Sequence, residues 1–356
     1  MGSIRYFYLL AIIALGWPQV VLAQSDGDVR STPAPPVVYI PKPPPVYIPV
    51  PTRTAADIET DATGHAAFLR SEYAAAAPLL ETTCRDRNAL SCFYLAQQYA
   101  AGVGVAKDTA KATELYQAGC DLGLAGSCNS LAVMLIQGDG DDADRARGLA
   151  LYNRACDAGE GLACSNLGHQ YETGGIVPVD KEMARTYYAK SCDLGAGRGC
   201  GNMAIVLRKG VGGKKDRDAA DDYARRARTS FKSECEKDEM SSCQALAYLL
   251  DHGEGGLKDE TKARELYILS CKNGVTEACN NTGIMLETGS GGDKDLKAAA
   301  KLYDFACNND SETGCQNLAR LYRGGIGVEL NPIKARQYYA RACDLGARDA
   351  CREAKR

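Results

Sequence analysis

Sixteen cysteines form the most regular chemical pattern in this 356-residue chain. They fall into eight pairs, and the two members of each pair are always eight residues apart. Successive pairs start 36 residues apart, except for an insertion of seven residues between Cys192 and Cys235. The pairs are Cys84 and Cys92, Cys120 and Cys128, Cys156 and Cys164, Cys192 and Cys200, Cys235 and Cys243, Cys271 and Cys279, Cys307 and Cys315, and Cys343 and Cys351.

Cysteines at this spacing could form disulfides, bind a metal or do redox chemistry. A repeating unit that closes its own bridge is the pairing that can recur from unit to unit, so we predict eight nearest-neighbour disulfides. A zinc site would need short Cys-x2-4-Cys hooks, which are missing, and the chain has only His65, His169 and His252 to add. The Cys-x-x-Cys spacing of redox enzymes is also missing. We therefore expect structural cysteines, no metal site and no cofactor.

The residues between the pairs predict helical hairpins. Counted from the second cysteine of each pair, an apolar residue recurs at position +3, a small one at +4, a large one at +7 and Gly at +10. This is one face of a helix that ends at the Gly. The same Gly gives Gly-x-Gly sequences such as 102–104, which we interpret as helix caps rather than phosphate loops because they follow a helix.

A second helix is expected to start at position +16 and to end at the next cysteine. It carries a small residue at +20 and, in six units, Tyr at +24. The seven inserted residues are about two helical turns, so we expect a longer helix whose segment 223–228 is pushed outward as a solvated extension rather than a basic docking surface. The predicted caps at +16 are Asp108, Asp144, Asp180, Asp216, Asp259, Asp295 and Asn331.

The N-terminus has the pattern of a secretory signal over residues 1–23. Arg5 precedes an apolar run of twelve residues that ends at Trp17, and Val21-Leu22-Ala23 forms a small-residue cleavage site. The run is shorter than the roughly 20 residues of a membrane span, and Gln24 is not the Cys of a lipoprotein anchor. We expect cleavage, no stable membrane anchor, and a periplasmic or secreted protein.

A Pro-rich stretch follows, and the sequence Val-Tyr-Ile-Pro occurs in it at 38–41 and 46–49. Such a stretch favours an extended linker, predicted over 24–56, although it could also dock on a partner or on a second copy of this chain. The solenoid is predicted over 57–356, with a divergent first hairpin at 57–84, seven repeats over 92–343 and a truncated C-terminal cap at 344–356.

Segments such as Cys315-Gln-Asn-Leu-Ala-Arg-Leu-Tyr-Arg-Gly-Gly resemble the Sel1-like repeat, and with the Cys-x7-Cys pairs the chain resembles the Helicobacter cysteine-rich (Hcp-like) proteins. The resemblance covers residues 84–351. It implies an all-α, right-handed superhelical solenoid related to tetratricopeptide arrays. It also implies export, and either adaptor function or the β-lactamase or penicillin-binding activity with which some members are labelled.

Function is predicted from the helix that follows each second cysteine. Position +2 faces a groove in such solenoids and holds four Asn residues, whose amides could bind an extended peptide or instead satisfy free backbone N–H groups of the first turn. The candidate groove residues are Tyr94, Asn166, Asn202, Asn281 and Asn317.

Composition and motifs narrow the function further. A net charge of −3 argues against nucleic acid as a partner. The chain contains no Ser-x-x-Lys of a serine β-lactamase. We therefore predict no catalytic residue and a non-enzymatic scaffold that binds a peptide or protein. The alternative is a hydrolase that cleaves β-lactams or a protein that binds penicillin or peptidoglycan fragments.

Overall fold

A computed structural model describes residues 55–138 and 140–355. The predicted signal and most of the predicted linker lie outside these residues. Within them, all regular secondary structure is α-helical. The helices are α1 (Ala55–Leu69), α2 (Tyr73–Arg85), α3 (Ala89–Ala101), α4 (Thr109–Asp121), α5 (Ala125–Gln137), α6 (Asp142–Asp157), α7 (Gly161–Thr173), α8 (Lys181–Asp193), α9 (Gly197–Lys209), α10 (Arg217–Cys235), α11 (Met240–His252), α12 (Glu260–Lys272), α13 (Thr276–Thr288), α14 (Leu296–Asn308), α15 (Glu312–Gly324), α16 (Pro332–Asp344) and α17 (Arg348–Ala354).

Each helix packs on the next one along the chain, which gives a two-layered solenoid of helical hairpins. All sixteen cysteines form the eight predicted nearest-neighbour disulfides. Each bridge joins the end of an even-numbered helix to the first turn of the next odd-numbered helix, with Cα atoms 4.5 to 4.7 Å apart. The predicted fold class is confirmed: the chain is an all-α solenoid with one bridge in each repeat.

The core runs along the array as a series of local clusters. The predicted small residues at +4 and +20 are buried, as Ala96 and Ala112 show, and so are the tyrosines at +24. Gly283 shows why +4 is small, since a Cβ there would lie 2.6 Å from the Tyr303 ring. Small residues at these two positions let the two helices of a hairpin approach closely.

Most predicted helix ends are confirmed, with two corrections in the second repeat. The Gly at +10 is the C-cap in all seven repeats, but Gly138 has an extended backbone with φ of −75° instead of a positive φ. The N-cap of α6 is Asp141, not the predicted Asp144. An Asp141 carboxylate oxygen accepts a hydrogen bond from the backbone N–H of Asp144 at 2.9 Å. This helix begins earlier because Asp141 reaches the N3 amide first.

The seven-residue insertion lengthens α10 to 19 residues, as predicted. The expectation that segment 223–228 is pushed outward is wrong. Ala220, Ala224, Ala227 and Phe231 form one buried stripe along the helix. The spacing of this stripe follows the helical period over the two added turns, so the insertion extends the packed face.

Candidate binding surface

The odd-numbered helices form the inner layer of the solenoid. Helices α1 and α3, α5 and α7, α7 and α9, and α13 and α15 contact each other directly. Among the even-numbered helices of the described chain, comparable contact occurs between α8 and α10. Like helices approach most closely on the inside of a curved stack, so we infer that α3, α5, α7, α9, α11, α13 and α15 line the concave side. We define the inner face as their residues at positions −2, +2, +5 and +9.

Three of the four candidate asparagines connect neighbouring repeats. The Asn166 amide donates to Asn129 Oδ1 at 2.9 Å, and the Asn317 amide donates to Asn280 Oδ1, also at 2.9 Å. The Asn202 amide donates to Ser165 Oγ at 3.3 Å. In each case the acceptor lies at position +1 of the preceding repeat, 37 residues earlier. The side chains therefore bond between repeats instead of capping the N–H groups of their own helix.

The oxygens of these three amides remain available. Asn166, Asn202 and Asn317 are half-buried, and their Oδ1 atoms accept no hydrogen bond from the part of the chain that the structure describes. Because the N–H contact to the preceding repeat fixes each amide, its oxygen is held in one orientation. The result is two oriented acceptors in adjacent repeats, at Asn166 and Asn202, and a third at Asn317, three repeats further along the inner face.

The other two candidates have different surroundings. Asn281 lies beside the buried phenol of Tyr267, and burial raises the pKa of that phenol while Asn281 lowers it. Tyr94 belongs to the first hairpins, because its ring stacks on Phe68 with centroids 4.4 Å apart and meets His65 edge-on at 5.3 Å. The structure thus places Tyr94 in a packed aromatic cluster and Asn281 beside a tyrosine.

Exposed apolar side chains also lie on the inner face, and those at position −2 were missed in the sequence. Leu90 and Leu162 at position −2 and Tyr248 and Ile284 at position +5 are all exposed. Positions −2, +2 and +5 share one helix face, so the signal was present in the helical period. However, residues of different types occupy these positions in different repeats, so comparing the repeats does not reveal a shared apolar surface.

A second set of contacts between repeats lies on the even-numbered helices. Lys190 Nζ pairs with Asp157 at 2.9 Å, and Arg226 pairs with Asp193 at 2.7 Å. Both pairs join residues 33 apart. The acid directly follows the first cysteine of a pair. The base lies on the next even-numbered helix, near the end of α8 for Lys190 and in the middle of α10 for Arg226. These exposed pairs orient neighbouring repeats and add little stability individually.

The described residues contain neither a free cysteine nor a metal-binding cluster. Every cysteine is in a disulfide, so none is available as a nucleophile or metal ligand. No cluster of three His, Cys, Asp or Glu side chains that could hold a metal ion occurs between residues 55 and 355, residue 139 aside. Among the helices described, none combines the length and apolar character needed to cross a bilayer.

Comparisons with known proteins agree with the repeat analysis. Solved structures with similar folds include a Sel1 repeat protein from Oxalobacter formigenes, with 22% identity, 80% of this chain and 96% of that chain covered, and a TM-score of 0.44. Another is c5321, a protective antigen of uropathogenic Escherichia coli, with 21% identity, 77% of this chain covered and a TM-score of 0.43. The match spans 57% of c5321.

Helicobacter pylori cysteine-rich protein B is similar over a shorter stretch, with 27% identity, 37% of this chain and 94% of that chain covered, and a TM-score of 0.31. None of the curated proteins matches the chain. The Sel1 repeat model matches residues 89–124, 125–160, 161–195, 241–275, 276–311 and 313–346, more than half of the sequence. The chain therefore belongs to the Sel1 repeat family.

Proposed function

We propose that this protein is a non-enzymatic scaffold that binds an extended peptide segment of a partner protein along its inner face. The observation that carries the proposal is the set of oriented amide oxygens, at Asn166 and Asn202 in adjacent repeats and at Asn317 three repeats further along. Carbonyl acceptors at fixed orientation can receive backbone N–H donors of an extended chain, which has no internal hydrogen bonds to satisfy them. Family membership supports the coarser statement that the chain mediates protein–protein interaction.

Exposed apolar side chains on the same face supply the second part of such a site. Leu162 precedes Asn166 by one helical turn, and Ile284 follows Asn281 by three residues. Apolar side chains beside fixed polar groups are typical of peptide grooves, in which backbone contacts give affinity and side-chain contacts give specificity. The side chains at +5 differ between repeats, so each repeat would contribute its own preference.

The scaffold is proposed to act after export. Eight disulfides indicate an oxidising compartment, such as the periplasm or the extracellular space. The predicted signal at 1–23 supports delivery there. Cell fractionation and N-terminal sequencing of the exported protein test this step, and a mature N-terminus at Gln24 is the expected result.

The binding proposal is tested by pull-down from periplasmic extract with the wild-type chain and with the Asn166→Ala/Asn202→Ala/Asn281→Ala/Asn317→Ala variant. A matched variant, Asn153→Ala/Asn308→Ala, changes asparagines on the even-numbered helices. We expect the partner to be lost from the first variant and retained by the second, with the helical circular dichroism of both unchanged. Equal retention by both variants would refute the inner face as the binding site.

Two further measurements use the same samples. Nitrocefin hydrolysis that scales with protein through purification would replace the scaffold proposal with the hydrolase function that the resemblance implies. Truncation at Arg53 tests whether the Pro-rich segment binds the groove of a second copy. If it does, analytical ultracentrifugation will show association by the full chain and none by the truncated one.

A further inference from the structure

Arg198 is an unpaired cation on the inner face. It lies at position −2, in the first turn of α9, one helical turn before Asn202. Arg198 is exposed to solvent. The guanidinium donates no hydrogen bond and forms no ion pair within residues 55–138 and 140–355, whereas nearby Arg208 and Arg226 are both paired with carboxylates.

The carboxylate of Glu234 acts on Arg198 through its charge but forms no ion pair with it, and its oxygens accept hydrogen bonds from other donors. Glu234 accepts from Ser230 Oγ at 2.8 Å, from Ser242 Oγ at 2.5 Å and from the Gly197 backbone N–H at 3.3 Å. These donors fix Glu234 between α9, α10 and α11. Arg198 feels its charge without contacting it.

The rest of the inner face offers no acid close to Arg198. Among the four inner-face positions of all seven repeats, the only acidic residue is Glu277, which lies on α13. The carboxylate whose charge acts on Arg198 is that of Glu234, and no acid forms an ion pair with the guanidinium within residues 55–138 and 140–355. A partner that occupies this surface therefore meets a positive charge that no ion pair engages.

Protein surrounds this charge on the concave side even though it remains open to solvent. Desolvation lowers the pKa of Arg198, and Glu234 and Tyr152 oppose this shift. A group can be accessible from one direction and still lie among many protein atoms at the floor of a concavity. His169 lies nearby, and burial lowers its pKa; the Arg198 charge acts in the same direction and Glu172 opposes both. Charge interactions at such a site are stronger than on an open surface.

We propose that Arg198 binds a carboxylate of the extended peptide held along the inner face. The inference rests on the proposed function and names one feature of the partner. The planar guanidinium presents paired donors that match the two carboxylate oxygens. Asn166 and Asn202 flank it with acceptors for the peptide backbone, and the exposed Leu162 at position −2 of the preceding repeat offers contact to an adjacent apolar side chain.

The carboxylate can come from an Asp or Glu side chain or from the C-terminus of the peptide. We would screen the full-length oxidised protein against synthetic dodecapeptides in two libraries, one with free C-terminal acids and one with C-terminal amides. An internal acid predicts selection of Asp or Glu at one position in both libraries. A terminal carboxylate predicts binding confined to the free-acid library.

The Arg198→Gln variant then tests the contact with the selected peptides. Loss of a charge-assisted hydrogen bond predicts a decrease in affinity of about tenfold or more. Arg198→Lys should recover part of the lost affinity, since a lysine keeps the positive charge but lacks the paired donors of the guanidinium. The matched control is Arg336→Gln. Arg336 is exposed on α16 and has no hydrogen bond or ion pair in the part of the chain that the structure describes, so its variant should bind as the wild type does.

The outcomes separate the two proposals. If the wild-type protein selects peptides without preference for a carboxylate, or if Arg198→Gln binds as tightly as Arg336→Gln, then the role of Arg198 is wrong while the scaffold stands. If the wild-type protein binds no peptide in either library, the peptide groove itself fails. Circular dichroism of each variant confirms that the helices are retained.

Discussion

The contact between Glu287 and Arg320 gives a quantitative test of how neighbouring repeats are held together. Arg320 lies on α15 and donates two hydrogen bonds, of 2.8 and 2.6 Å, to the Glu287 carboxylate on α13. The Tyr303 hydroxyl donates to the same carboxylate at 3.0 Å. Glu287→Gln preserves shape but removes the charge, so it isolates the electrostatic part of this three-residue contact.

The magnitude follows from how far the pair is removed from water. The Glu287 side chain is 18% exposed and that of Arg320 is 39% exposed. A fully exposed pair contributes about 0.2–1 kcal/mol and a hydrogen bond to a charged group about 1.5–3 kcal/mol. The Glu287–Arg320 pair is partly buried, so its contribution should lie between these two values. We therefore expect Glu287→Gln to lower the free energy of unfolding by about 1–2 kcal/mol. Glu265→Gln is the control, because its pair with Lys262 is about 60% exposed and should contribute under about 0.5 kcal/mol.

The pH dependence has a definite sign. Hydrogen bonding by Arg320 lowers the pKa of Glu287, although burial opposes the shift. A carboxyl with a lowered folded-state pKa stabilises the protein above its unfolded pKa, near 4.3, and this contribution is lost as the pH falls through the folded value. The difference between wild type and Glu287→Gln should therefore be full at pH 7 and should shrink below about pH 4.5.

Urea unfolding followed by circular dichroism at pH 7 and at pH 3 measures both effects. Hydrogen exchange of the α13 and α15 amides at pH 7 localises them, because 1–2 kcal/mol corresponds to exchange that is faster by about 5 to 30 times. Two results would refute the reasoning. One is a loss at pH 7 no larger than that of Glu265→Gln, and the other is a loss that persists unchanged at pH 3.

Two further substitutions test the local packing, each against a matched control by thermal unfolding. Gly283→Ala places a Cβ 2.6 Å from the Tyr303 ring and should lower the free energy of unfolding by about 1–3 kcal/mol. In the control, Gly126→Ala, the Cβ meets no atom closer than 3.8 Å, so that variant should be as stable as the wild type or more stable. Equal effects of the two substitutions would contradict the packing argument. Asp141→Ala should cost about 1 kcal/mol through loss of the α6 cap and Asp144→Ala much less, and the reverse order would restore Asp144 as the cap.

The fold was predictable from the sequence because the same pattern of residues recurs in every repeat. Cysteines eight apart can bridge only if one helix ends and the next begins between them, and the Gly at +10 marks the other end of the first helix. A pattern repeated seven times remains recognisable despite local exceptions such as Thr282, which occupies position +3 where the other six repeats have Leu or Met. The predictions failed where a repeat departs from the pattern. Asp141, Asp142 and Asp144 are close together, and the sequence alone does not show which of them caps α6. The buried stripe of α10 could not be predicted without knowing which helices pack against the two added turns.

The candidate surface was predictable only in part. Helical period placed the asparagines on one face, but the partner of Asn166 is Asn129, 37 residues earlier. The register between neighbouring repeats decides that contact, and register is not encoded in the spacing within a repeat. The same reason explains why the link between Glu287 and Arg320 was missed: residues 33 apart in chain order meet only after the hairpins stack.

The contacts between neighbouring repeats affect both the stability of the solenoid and the surface available for binding. Since each repeat of a solenoid packs mainly on its neighbours, any side chain that links two repeats contributes to stability as well as to the surface it lines. Asn166, Asn202 and Asn317 therefore serve both purposes, and a binding defect in their variants must be separated from a stability defect. Arg198 makes no hydrogen bond or ion pair in the described chain, so its substitution leaves the links between repeats intact. An exposed charge that has no hydrogen bond or ion pair in the described chain and lies one helical turn from a fixed acceptor is most simply explained by a ligand that pairs with it. This makes Arg198 the most direct probe of what the inner face binds.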